Sequence, residues 1–95
     1  MMNDIRIDQQ TAHRLVAEGA KLIDVRTVEE NAAGALPGAI NVPVQVVGEE
    51  IEKFAKPDET IVLYCRSGGR SDMAARILRS MGYAKAYNMG GIHEW

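Results

Sequence analysis

The chain is poor in the residues that staple or decorate small proteins: one cysteine, one tryptophan, one phenylalanine and three prolines in 95 residues. A single cysteine, Cys65, excludes an internal disulfide framework and any multi-cysteine zinc site. His13 and His93 stand far apart and lack metal-ligand spacing, so packing or solvent-facing roles are expected of them. No apolar run approaches the roughly 20 residues needed to span a bilayer. Neither sign of charge dominates: 11 lysines and arginines face 13 aspartates and glutamates, for a formal net charge of -2. That balance excludes the global basic field expected of a nucleic-acid or membrane-surface binder. The start, Met1-Met2-Asn3-Asp4-Ile5-Arg6, has neither the basic opening nor the apolar run of a secretory signal. A lone thiol suits a reducing compartment, and the cytoplasm is the expected location.

What remains is ordinary globular composition, with 46% hydrophobic and 25% charged residues. The length predicts one domain over residues 1–95, burying roughly 60–68% of the unfolded chain's surface. Ile5 and Ile7 alternate with polar residues and predict a short edge strand. Asp8 is a cap for a helix over Gln9 to Glu18, with Ala12, Leu15 and Val16 on one face and Gly19 as its stop. Leu22 to Val25 reads as a strand buried on both faces. Val28 to Ala33 predicts a short helix ended by Gly34, and Ala39 to Val42 a short strand after the Pro37-Gly38 turn. Val46 to Phe54 has helical spacing at Val47, Ile51 and Phe54. Ile61 to Tyr64 is the most strand-like run. Arg70 to Met81 predicts a helix with Met73, Ala74, Ile77, Leu78 and Met81 inward, and Gly82 as its stop. Ala84 to Met89 predicts a last strand, broken by Gly90-Gly91, and Ile92 to Trp95 the start of a helix. Tyr64, Tyr83, Tyr87 and Met89 read as packing residues. Short buried strands alternating with helices predict an α/β fold with a mainly parallel sheet covered on both faces. Ligands in such folds sit past the carboxyl ends of the strands, which is where Cys65 stands.

The segment Tyr64-Cys65-Arg66-Ser67-Gly68-Gly69-Arg70-Ser71 joins that best strand to a helix. Gly68 and Gly69 allow backbone turns that aim successive N–H groups inward as an anion-binding nest. The helix that follows presents its positive end, and Arg66 and Arg70 flank the thiol. Each of these favours the thiolate, the nucleophilic form of cysteine. Four arginines (Arg66, Arg70, Arg76, Arg79) stand against Asp72 alone between Cys65 and Ser80, a local positive excess that suits an anionic substrate. Asp72 opposes a nearby thiolate unless it pairs with Arg76 at i,i+4. The competing reading makes Cys65 a buried strand-end residue that packs like alanine; the two arginines and the glycine pair argue against it.

Taken with Leu22-Ile23-Asp24-Val25-Arg26, Glu30, Gly34 to Pro43, and Gly90-Gly91-Ile92 with Trp95, this segment resembles the single-domain rhodaneses, which are sulfurtransferases. The resemblance covers nearly the whole chain. It implies a central parallel sheet of about five strands with helices on both faces. It implies Cys65 as the carrier of a persulfide and Arg66, Ser67, Gly68, Gly69 and Arg70 as the cradle for the transferred group. Asp24, Arg26, Glu30 and Ser71 are supporting residues on this reading. Asp24 is a loop-fixing acceptor, and the i,i+4 spacing of Arg26 and Glu30 allows an ion pair. Ala35 and Asn31 depart from the family, which often has histidine and an aromatic residue there. Many members also continue past the position of Trp95.

The implied reaction takes sulfane sulfur from thiosulfate or another small anionic donor and passes it to cyanide, a thiol or a partner protein. It requires no metal or organic cofactor, no nucleic acid and no membrane, and leaves the oligomeric state open. Phosphatases and arsenate reductases on the same fold use a Cys-x5-Arg loop, whereas Cys65 to Arg70 is Cys-x4-Arg, a tighter ring. A persulfide carrier serving a partner protein is the other alternative.

Overall fold

The computed structural model describes residues 4–95; the reading of the N-terminal start rests partly on Met1 to Asn3, which lie outside them. Four parallel strands form the sheet: β1 (Lys21–Asp24), β2 (Ile40–Asn41), β3 (Ile61–Cys65) and β4 (Ala86–Gly91), in the spatial order β2-β1-β3-β4. The helices are α1 (Gln9–Ala17), α2 (Val28–Ala33), α3 (Val47–Glu50) and α4 (Gly69–Ser80). Single 3-10 turns flank α3 at Val44–Val46 and Ile51–Lys53, and another covers Ile92–Glu94.

β3 is central and fully buried, and its alternation organises the molecule. Ile61, Leu63 and Cys65 face one core, shared with Ile23, Val47, Ile51, Ala74 and Leu78. Val62 and Tyr64 face the other, shared with Ala12, Leu22 and Met89 and closed by Leu15, Val16 and Trp95. Successive strand residues point to opposite faces. That parity puts the Cys65 side chain on the same face as α4.

Among the described residues the sheet has four strands rather than about five. Ile5 to Ile7 makes only one isolated bridge, Arg6 to Asn88, with hydrogen bonds of 3.0 Å from Ile7 N to Asn88 O and 2.8 Å from Asn88 N to Ile5 O. Asp8 already caps α1, accepting from Thr11 N at 2.8 Å, so the pairing stops at Ile7 on the side of α1. Gly90 and Gly91 do not break the last strand. They extend it, with Tyr64 opposite Gly90 and Cys65 opposite Gly91, after a register shift that leaves Met89 as an extra residue.

The predicted inner face of the Arg70–Met81 helix needs correction. Ser71, Ala74, Ala75 and Leu78 are its buried residues, whereas Met73 and Met81 are 57% and 46% exposed. The small residues Ser71, Ala74 and Ala75 at i, i+3 and i+4 let α4 lie close against β3 and β4, Leu78 completes the stripe at i+7, and the methionines fall outside it. The helix expected over Val46 to Phe54 is three short turns rather than one continuous α-helix. Among the described residues no helix is long and apolar enough to cross a membrane.

Candidate active site

Cys65 ends β3 and is 1% exposed. The chain then turns through Arg66 and Ser67, both exposed, and Gly68 takes φ +107, a left-handed value that a residue with a Cβ rarely adopts. Gly68 N–H donates to Cys65 Sγ at 3.0 Å, and the Ser71 hydroxyl lies 3.4 Å from the same sulfur. Burial pushes the Cys65 thiol up, but hydrogen bonds from Ser71, Gly68 and Ser67 outweigh it and hold the thiol below its ordinary value. An inert cysteine buried in apolar surroundings would shift the other way.

The flanking arginines serve differently from one another. Arg70 Nη1 and Nη2 pair with Glu30 Oε1 and Oε2 at 2.7 and 3.0 Å, a bidentate clamp from the first turn of α4 to α2. Arg66 is exposed at the rim of the loop. Asp72 pairs with Arg76 at 2.9 Å, four residues along the helix, and so is held by a cation of its own.

Arg26 and Glu30 form no ion pair with each other, contrary to what their spacing allows. Arg26 precedes Thr27, the cap of α2, and therefore lies outside the helix on which i,i+4 neighbours meet. Its guanidinium turns back onto Asp24 instead, with Nη2 at 2.7 Å from Oδ2 and also 2.7 Å from Gly34 O. Glu30 closes a capping box by accepting from Thr27 N at 2.9 Å before it reaches Arg70. Arg70 holds the Glu30 carboxyl well down, to about 2, with help from Thr27.

Asp24 is the acceptor beneath this frame. It is fully buried and receives Arg26 N at 2.9 Å, Arg26 Nε at 3.0 Å, Asn31 Nδ2 at 3.0 Å and the Tyr64 hydroxyl at 3.0 Å. Burial raises its pKa, yet these donors, Arg26 foremost, win and hold the carboxyl below its ordinary value. Tyr64 Oη in turn accepts from Leu36 N at 3.1 Å, fixing the segment that leads into β2.

The loop lies directly on the end of β4. A Cβ at Gly91 would collide with the Arg66 carbonyl oxygen and come within 3.2 Å of Ser67 Cα. Gly91 is therefore required by close approach, its backbone being extended (φ -88). Neither of two surface cavities borders the thiol. One of about 200 Å³ opens by Leu15, Ala20 and Thr60, ahead of β1 and β3. The other, about 370 Å³, is lined by Arg6, Ile7, Asp8, Gln9 and Glu94. The candidate site is the backbone ring around Sγ.

Residues 8–95 match the Rhodanese-like domain family. The chain belongs to the rhodanese family. A sulfurtransferase of Allochromatium vinosum is 34% identical over 96 residues, spanning all of this chain and 89% of its own length. The human thiosulfate:glutathione sulfurtransferase is 38% identical, over 85% of this chain and 84% of that protein. The solved structure of the human single-domain sulfurtransferase TSTD1 superimposes with a TM-score of 0.86 at 31% identity, covering 98% of this chain and 96% of that one. These relatives support transferase activity of the rhodanese type, with a sulfur donor and a thiol acceptor in general terms.

Around the rhodanese loop the structure brings Cys65, Gly68 and Ser71 into contact, with Gly69 opening α4 and Arg66 and Ser67 on the rim. Asp24 and Arg26 pair with each other and tie down the segment around α2 through Asn31 and Gly34 O. Three side chains matter here that sequence reasoning read otherwise or passed over. Asn31, seen only as a departure from the family, feeds Asp24. Tyr64, read as packing, bridges Asp24 and Leu36. Asn88, unmarked in a strand, is buried against the loop. The one available signal for Asn88 was composition, since asparagine is disfavoured within strands.

Proposed function

We propose that this rhodanese moves one sulfane sulfur from thiosulfate, or a similar small anionic donor, to an external thiol through a persulfide on Cys65. The observation that carries this reading is the sulfur of a lone cysteine at the floor of a ring of donors, 3.0 Å from Gly68 N–H. In the first half-reaction the Cys65 thiolate attacks the outer sulfur of thiosulfate. A new S–S bond forms to Sγ, the old S–S bond breaks, and sulfite leaves with its electron pair. Loop N–H groups stabilise the incoming anion and then the terminal sulfur of the persulfide. Arg66, on the rim and exposed, favours an anionic donor. In the second half-reaction an acceptor thiolate, or cyanide in an assay, attacks the terminal sulfur and returns Cys65 as thiolate. No second cysteine exists in the sequence to resolve the persulfide internally, so the sulfur leaves to an outside molecule.

Phosphoester chemistry fits less well. Arg70, the arginine that would have to grip a phosphate, is engaged bidentately by Glu30. The lone reduced thiol supports action in a reducing compartment, and we place the protein in the cytoplasm on that ground.

Intact-mass spectrometry after incubation with thiosulfate tests the reading. One added sulfur atom, removed by cyanide and absent in Cys65→Ala, is the expected result, with ping-pong kinetics at steady state. Failure to load sulfur from any sulfane donor, or turnover of an aryl phosphate in its place, refutes it.

A further inference from the structure

Asn88 lies in β4, is 4% exposed, and spends every hydrogen-bonding group of its side chain on the active loop and the strand end. Its Nδ2 donates to Gly68 O at 3.1 Å. Its Oδ1 accepts the Ser71 hydroxyl at 2.6 Å and Gly90 N–H at 2.8 Å. Gly90 N–H can only donate, so it fixes which end of the carboxamide is oxygen. The extra residue Met89 follows immediately, where the register shifts from Leu63–Asn88 to Tyr64–Gly90. Bulges of this kind re-aim side chains next to active sites. The two loop groups that Asn88 holds belong to the two residues whose donors face Cys65: Gly68, whose N–H reaches Sγ, and Ser71, whose hydroxyl lies beside it.

We propose that Asn88 is a positioning residue for Cys65, pinning the Gly68 carbonyl and the Ser71 hydroxyl so that both residues stay aimed at the sulfur. The Ser71 hydroxyl has one proton and three acceptors in reach: Asn88 Oδ1, Gly68 O at 3.3 Å and Cys65 Sγ. Beside a neutral thiol the short contact to Asn88 takes the proton. Beside a thiolate the charged sulfur is the stronger acceptor, and the hydroxyl oxygen is already held at the distance from which it can donate. Beside the neutral thiol Asn88 therefore holds both Ser71 and Gly68, and beside the thiolate it holds the loop through Nδ2 on Gly68 O, without itself touching the reacting atoms. Other charges around the loop are Arg66; Arg70 with Glu30; Asp72 with Arg76; and Arg6 with Glu94 beside Gly90. Replacing Asn88 by alanine changes none of them.

This inference rests on Cys65 as the sulfur-carrying nucleophile, but its test needs no sulfur donor. The rate of iodoacetamide alkylation is followed against pH; with one cysteine in the sequence, the signal is Cys65 alone. Asn88→Ala is expected to raise the midpoint by about one pH unit, leaving about tenfold less thiolate below both midpoints. Asn88→Asp keeps the shape and the acceptor but loses the donor to Gly68 and adds negative charge, so its midpoint should rise further. An unchanged or lowered midpoint in variants that circular dichroism shows to be folded overturns the proposal. Should both variants unfold, the wild type decides. The Asn88 side-chain amide resonances of a nitrogen-15-labelled sample must titrate with the Cys65 midpoint, and resonances that stay still overturn it. A protein that alkylates as expected but takes no sulfur from thiosulfate overturns the function proposed above and leaves the role of Asn88 standing.

Discussion

Replacing Asp24 with asparagine should cost the fold dearly while sparing the thiol. The carboxylate is fully buried beside an Arg26 that is 7% exposed. Oδ2 receives Arg26 Nη2 at 2.7 Å, Asn31 Nδ2 at 3.0 Å and Tyr64 Oη at 3.0 Å, while Oδ1 receives Arg26 N at 2.9 Å and Nε at 3.0 Å. An amide has one oxygen and one NH₂. In either orientation its NH₂ faces N–H donors where an acceptor stood, Arg26 N at one position or Asn31 Nδ2 at the other, and Arg26 loses its counter-charge, keeping only neutral acceptors such as Gly34 O. Breaking one partner of a buried ion pair costs about 3–5 kcal/mol. Domains of this size have a total stability of about 5–15 kcal/mol, and each kcal/mol moves the melting temperature by roughly 4–8 °C. Urea unfolding at pH 7 measures the loss.

The pH dependence provides an internal check. The folded-state pKa of Asp24 is depressed, so its contribution is fully present above the unfolded value of about 3.9 and fades as pH falls through the folded one. The gap between wild type and Asp24→Asn should therefore narrow below about pH 4. Below its melting temperature the variant should alkylate at Cys65 with a near-normal midpoint, because Asp24 does not touch the sulfur. A loss under about 1 kcal/mol at pH 7 would refute the assigned weight of the buried pair. A collapsed alkylation rate in folded variant protein would refute the supporting role and point to proton transfer.

Gly91→Ala should displace the loop, since its Cβ would strike the Arg66 carbonyl; a destabilisation of about 1–3 kcal/mol together with slowed alkylation is expected, read by urea unfolding and mass spectrometry. Glu30→Gln keeps an acceptor for the Thr27 cap but loses the bidentate clamp on Arg70. With the Glu30 carboxyl held at about 2, the stability it adds is present above its ordinary value and lost as pH falls toward 2. The difference in melting temperature between wild type and Glu30→Gln should accordingly shrink across that acid range, and a difference independent of pH would contradict the pair.

The active loop was legible because its chemistry is local. Cys65, the two glycines and the following helix are consecutive, and strand-loop-helix geometry alone brings N–H groups around the strand's last residue. The helix capped by Asp8, the short helix after Thr27 and the buried run at β3 were legible for the same reason: caps and periodicity act within a few residues. Met73 and Met81 misled because helical periodicity does not say how wide the inward face is. Only the close packing of α4 on the sheet shows that Ala75 and Ser71 are inside. The fifth strand failed because pairing depends on a partner edge, and just one bridge to Asn88 forms.

The residues themselves determined an alternating α/β chain, a thiol at the end of its central strand, and a loop built to favour the anion. Charge pairing was decided by tertiary structure. Arg26 turned from Glu30 to Asp24, and Arg70 was taken by Glu30 from forty positions away. So was the final setting of the sulfur, where Asn88 on β4 holds Gly68 and Ser71. Side chains distant in sequence meet only when the sheet sets strand order and register. A parallel sheet brings its strands' carboxyl ends together, and there those distant partners decide what the local loop can do.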